Sequence, residues 1–132
     1  MSVIGRALRL SSRERRDAAR ALGWLVVVHA GLRLLPYRRV RAFVTGVSPR
    51  GPAISPEACG LAVARASVLF PRAQCLARAL AAECLLKRAG RASELKIGVG
   101  FDEAHVFEAH AWLVSDGVVV TGGGEQPRLK EL

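Results

Sequence analysis

Cysteine is scarce in this sequence: Cys59, Cys75 and Cys84 are the only three in 132 residues. Their irregular spacing makes neither a disulfide framework nor the Cys/His pattern of a structural zinc site, so neither a metal nor a cofactor is expected. A reducing cytoplasm is the compartment such usage suits. Aromatic residues are also few, with one Tyr, two Trp and four Phe. That leaves no row of stacking platforms for single-stranded nucleic acid, although the formal net charge is +9. Without a readout motif, the basic excess is read as a solvated surface suited to an acidic peptide or protein partner, and no nucleic acid is expected. Long apolar runs are missing too. Ala21–Leu32 contains His29 and stops at Arg33, short of the roughly 20 residues that span a bilayer, so no membrane span is expected. No charged, apolar and cleavage regions follow one another at the start as in a secretory signal.

Half the residues are apolar, 51%, enough for one core in a chain too short for two, so a single domain over 1–132 is expected. Ser11-Ser12-Arg13-Glu14 has the form of a capping box, predicting a helix from there to about Leu35, where Pro36 ends it. Ala18, Leu22, Leu25, Val26, His29 and Leu32 are its expected inner face. Tyr37–Val44 reads as a basic amphipathic helix with Val40, Phe43 and Val44 inward. A breaker-rich loop follows over Gly46–Gly51. Ser55-Pro56-Glu57 then places a cap, a first-turn proline and an acid where a helix N-terminus wants them, and that helix should reach Phe70. Pro71 breaks it, and another helix starts within a few residues and stops at Gly90.

Beyond Gly90 the apolar period changes from helical to alternating: Leu95, Ile97, Val99 and Phe101 point one way. Val106–Ser115 is a second predicted strand, Asp116-Gly117 a hairpin turn and Val118–Thr121 a third strand, with Gly122-Gly123-Gly124 and a polar tail after it. The fold class expected is α+β, N-terminal helices followed by a small antiparallel sheet.

Two residues stand out chemically. Cys75 falls in the first turn of a predicted helix, where the helix N-terminus favours a thiolate and free backbone N–H groups can hold an oxyanion. Alone it is more simply a packed thiol. His110 lies mid-strand in Glu108-Ala109-His110-Ala111-Trp112, where a structural strand more often carries a β-branched residue. A helix-borne Cys against a strand-borne His is the nucleophile and base arrangement of papain-like enzymes. Trp112 shares a strand face with His110 and is a candidate shield and substrate contact, and Gln74 is a second candidate substrate contact. Cys59 and Cys84 read as core residues, and His29 and His105 as structural or incidental.

The segments Cys75-Leu76-Ala77-Arg78-Ala79-Leu80, Leu85-Leu86-Lys87-Arg88-Ala89-Gly90, Glu94-Leu95-Lys96-Ile97-Gly98-Val99 and Ala109-His110-Ala111-Trp112-Leu113, in that order, resemble the lasso-peptide leader peptidases. Those are cysteine peptidases with a transglutaminase/papain-like core. Leu32-Arg33-Leu34-Leu35-Pro36-Tyr37 is similar to that family's N-terminal region, so the resemblance covers nearly the whole chain. It implies N-terminal helices over 1–45 and a catalytic core over 55–124, with Cys75 as nucleophile and His110 as general base and acid. The activity implied is cleavage of a ribosomally made precursor peptide. The implied partners are that precursor and a separate leader-recognition protein of winged-helix type, for which this chain has no room of its own. The ATP-dependent lasso cyclase is a further candidate partner.

One element of the resemblance is missing. The family carries a third catalytic residue, an Asp, at the position where this chain has Gly122. Asp116 does not substitute for it: as a hairpin tip it lies six residues from His110, roughly 20 Å at strand rise. Thr121, Glu125 and Glu108 are the candidates left to orient His110, as is a backbone carbonyl. The alternative to an enzyme is a non-catalytic peptide- or protein-binding module of the same fold.

Overall fold

The computed structural model describes residues 9–101, 104–105, 107–122 and 130–131. Among the described residues four helices come first: α1 (Ser12–Leu34), α2 (Tyr37–Thr45), α3 (Pro56–Leu69) and α4 (Cys75–Arg88). An antiparallel sheet follows, made of β1 (Glu94–Phe101), β2 (Phe107–Ser115), β3 (Val118–Thr121) and the two-residue β4 (Lys130–Glu131), in spatial order β3-β2-β1-β4. The fold is α+β, as expected. The polar tail expected after the glycines contributes β4, which pairs with β1 at Gly98 and Val99. Two residues carry no alternation, so sequence periodicity gives no sign of such a strand.

The helix starts follow local chemistry. The Ser11 hydroxyl accepts from the Glu14 amide while the Glu14 carboxylate accepts from the Ser11 amide, so each satisfies a donor the helix leaves free. Ser55 caps α3 by accepting from the Ala58 N–H, with Pro56 in the first turn. The Glu14 carboxyl is held below its ordinary range, first by the Ser11 backbone N–H and then by the Ser11 hydroxyl.

The helix α4 is the centre of the molecule. Ala77 and every residue from Ala79 to Leu86 are buried. It packs against α1, α3 and β2, while α3 lies on β3. Cross-strand partners Leu95 with Leu113 and Ile97 with Ala111 give the sheet its helix-facing side. The approach of α3 to β3 depends on Gly60, where a Cβ would fall 2.7 Å from the Val120 carbonyl oxygen. The β2–β3 turn is Asp116-Gly117, both at positive φ as a two-residue hairpin requires. Arg91 pairs with Asp116 at 3.2 Å.

Two inward faces differ from expectation. In α1 the buried line is Asp17, Ala21, Leu25 and Val28, and Val26 is 45% exposed. The expected apolar face was broad enough to be rotated by about one residue, and the positions of α3 and α4 select which edge of it is covered. In α2, Val40 and Val44 are buried but Phe43 is 54% exposed, its ring 6.4 Å from that of Trp24. A nine-residue helix that packs along a single line leaves its third apolar residue outside. Burial of Glu83 on α4 was not anticipated. It is paired with Arg41 of α2, a hydrogen-bonded ion pair that makes a buried carboxylate tenable.

Candidate functional site

The first residue of α4 is Cys75, preceded by Gln74 as N-cap, whose side chain makes no capping hydrogen bond. The helix start therefore keeps backbone N–H groups without a side-chain partner, next to a half-buried sulfur. That sulfur reaches the sheet: the Ala111 N–H donates to Cys75 Sγ at 3.4 Å. Among the described residues the pairing between β2 and β3 reaches Leu113 and Thr121.

His110 is the next residue toward the start of β2, opposite Gly98 of β1. Cys75 and His110 line one cleft of about 840 Å³, together with Gln74, Arg78, Val68 and Thr121 among others. The cleft is walled by α3 on one side and by the ends of β2 and β3 on the other. A smaller hollow of about 450 Å³ lies between α1, α2 and the C-terminal end of α4, around Trp24, Phe43 and Leu85, and contains no candidate nucleophile.

The other expected residues are placed as follows. Gln74 lines the cleft. Trp112 does not: it is 5% exposed and lies under Gly122, on the strand face that alternation gives to His110. Thr121 lines the cleft, but it pairs with Leu113, and its buried Oγ1 has no hydrogen-bond partner among the described residues. It does not hold the imidazole through that oxygen. Glu108 is in β2 opposite Gly100, with its side chain outside the described set, and Glu125 lies outside the described residues. Asp116 is the hairpin turn, paired with Arg91.

Gly122 has φ +76°, and a Cβ there would fall 2.8 Å from Trp112 Cβ and 3.1 Å from the Ala111 carbonyl oxygen. The backbone at this point is built around the lack of a side chain. An aspartate is absent here, and in this conformation it would not fit.

The remaining cysteines and histidines do not line this cleft. Cys59 and Cys84 are fully buried. Burial pushes each thiol up to about 12, with smaller upward contributions from Asp17 and Glu83 respectively. The His29 ring meets Phe70 edge-on at 5.1 Å, and His105 has φ +61°. Among the described residues no group of three or more His, Cys, Asp or Glu is placed to hold a metal, and no helix is long and apolar enough to cross a membrane.

Sequence reasoning missed two features. One is the Ala111 amide, a backbone donor with no residue signature. The other is the arginine cluster around the thiol: Arg78 lines the first cleft, and Arg33 and Arg72 line a second one that shares Gln74 with it. Arg72 and Arg78 each lie three residues from Cys75, and Arg78 is near it on the helix by spacing alone. That signal was present but was absorbed into the general basic excess.

Cys75 at a helix start and His110 on a strand thus line one cleft, within helices followed by an antiparallel sheet. Residues 22–132 match the model of the Transglutaminase-like superfamily, and the chain belongs to that family. No curated protein and no solved structure gives a significant match.

Proposed function

We propose that this chain is a cytoplasmic cysteine peptidase that removes the leader from a ribosomally made lasso-peptide precursor, with Cys75 as nucleophile and His110 as general base and acid. The observation that supports it most is the position of Cys75 Sγ: at a helix start, hydrogen-bonded to the Ala111 amide, in a cleft it shares with His110. In the proposed reaction His110 takes the thiol proton and the sulfur attacks the scissile carbonyl carbon, forming a C–S bond. The oxyanion that develops is met by backbone N–H groups of the first turn of α4 and by the carboxamide of Gln74. The C–N bond then breaks, and the imidazolium gives its proton to the leaving amine. His110 next deprotonates a water, which attacks the thioester, so that the leader leaves as an acid and the thiol is restored. A separate winged-helix-type protein delivers the leader, and the released core passes to the ATP-dependent cyclase.

The test is to combine the chain with its precursor and recognition protein and follow peptide masses. Leader and core fragments are expected. Cleavage that continues unchanged in Cys75→Ala would remove the mechanism.

One observation favours a second reading, a non-catalytic peptide-binding module: the backbone at Gly122 has no room for an orienting carboxylate. Iodoacetamide separates the two. A Cys75 that alkylates faster than free cysteine at pH 6 supports the peptidase, and one that is no faster supports the module.

A further inference from the structure

Gln74, the residue before the thiol, belongs to two clefts at once. On one side is the cleft of Cys75 and His110. On the other is a hollow of about 900 Å³ whose floor is Leu32, Leu76 and Ala77 and whose charged groups are Arg33 and Arg72, with His29 beside them. Among the described residues no acidic residue lines either cleft. Several arginines elsewhere in the helical layer are engaged: Arg20 by Asp17, Arg41 by Glu83, Arg65 by Glu14, and Arg13 and Arg88 by the carbonyls of Ala53 and Ser48. Arg33 and Arg72 have no ion pair or hydrogen bond among the described residues, and they come from different elements, the end of α1 and the loop before α4. Two arginines that line one hollow together with apolar residues, with no acidic residue among the described residues of its lining, form an incomplete electrostatic site. A planar carboxylate is the group that completes it.

We propose that this second cleft receives an acidic side chain of the peptide held at Cys75, with Arg33 and Arg72 as its ligands, so that the chain selects substrates carrying Asp or Glu close to the scissile bond. The inference rests on the peptidase reading for the position of that bond. An extended peptide advances about 3.3 Å per residue, so a chain centred on Cys75 enters the neighbouring cleft within two or three residues. Arg33 and Arg72 are both exposed, so the attraction is that of a solvated site and weakens as salt rises.

The test uses thiol-reactive peptides with capped ends, bearing either a C-terminal chloromethyl ketone or an N-terminal bromoacetyl group, with Glu, Gln or Lys two residues from the warhead. Labelling rates of Cys75 are read by intact mass at low salt and divided by the rate with iodoacetamide. In one of the two orientations Glu is expected to label faster than Lys by about tenfold, with Gln between them. Arg33→Glu with Arg72→Glu should invert that order. Arg38→Glu with Arg39→Glu, the same charge change made away from both clefts, should leave most of it. Rates within twofold of each other in both orientations would overturn the proposal, and so would an equal loss of preference in the two double variants. The iodoacetamide rate reports separately on the peptidase reading: a sluggish thiol would count against catalysis while the Glu to Lys ratio still tested the cleft.

Discussion

Placing an aspartate at position 122 would restore the residue that leader peptidases carry there, and the structure predicts that it damages the protein rather than improving it. Gly122 has φ +76°, a conformation that costs a residue with a side chain about 1–3 kcal/mol. The new Cβ would also stand 2.8 Å from Trp112 Cβ and 3.1 Å from the Ala111 oxygen. Neither neighbour yields easily, because one is the root of a buried indole and the other is strand backbone. Overpacking of this kind adds about 1–3 kcal/mol. A total of about 3 kcal/mol lowers the melting temperature of a chain this size by about 10 °C. Thermal unfolding followed by circular dichroism measures it, with Gly122→Ala as the control that carries the Cβ without the carboxylate. Both variants should lose similar stability, and Gly122→Asp should gain no cleavage activity. If Gly122→Asp melted within 2 °C of the parent and cleaved faster, the backbone at this point would be freer than described. Position 122 would then accept an orienting carboxylate after all.

Further outcomes follow from the same packing. Gly60→Ala should destabilise the protein, although Ala favours an open helix over Gly by about 1 kcal/mol, because its methyl would meet the Val120 oxygen at 2.7 Å; urea unfolding gives the sign. Thr121→Val should leave stability equal or higher, since the hydroxyl it removes is buried without a partner among the described residues, and a loss of cleavage in a stable Thr121→Val protein would mean the hydroxyl is used. Cys59 and Cys84 have folded pKa values raised to about 12 from 9.0. Their contribution to stability is therefore complete below pH 9 and is lost as pH rises toward 12, by at most about 1.4 kcal/mol per pH unit for each thiol. Urea unfolding at pH 8 and pH 10.5 should show a steeper alkaline loss in the parent than in the Cys59→Ala, Cys84→Ala variant.

How far the residues alone foretell this molecule depends on whether a feature is local. The capping box at Ser11, the Ser55-Pro56 start and the Asp116-Gly117 turn each depend on side chains within three residues, and all three are found as expected. So is the α4 start at Cys75, set by Pro71 and the helix formers after it. Which edge of α1 is covered, and whether Phe43 turns inward, are decided by helices distant in sequence, and there the periodicity was too broad to choose. At the site, the residue types and their elements were legible, because a cysteine at a helix start and a histidine amid small strand residues are unusual on their own terms. The Ala111 hydrogen bond was not legible, being made by a backbone amide. Nor was the reason for Gly122: sequence presents it as a missing aspartate, whereas the positive φ and the close approach of Trp112 show a position that requires glycine.

The central claim is that the thiol of Cys75 and the imidazole of His110 act as one unit on the same carbonyl. Cleavage rates of the parent, Cys75→Ala, His110→Ala and the double variant, measured on the precursor with the recognition protein present and with folding checked by circular dichroism, test this most directly. Residues acting together predict that each single variant falls to about the same floor and that the double variant falls no further. Undiminished cleavage in either single variant, or a double variant whose loss is the product of two partial losses, would contradict it.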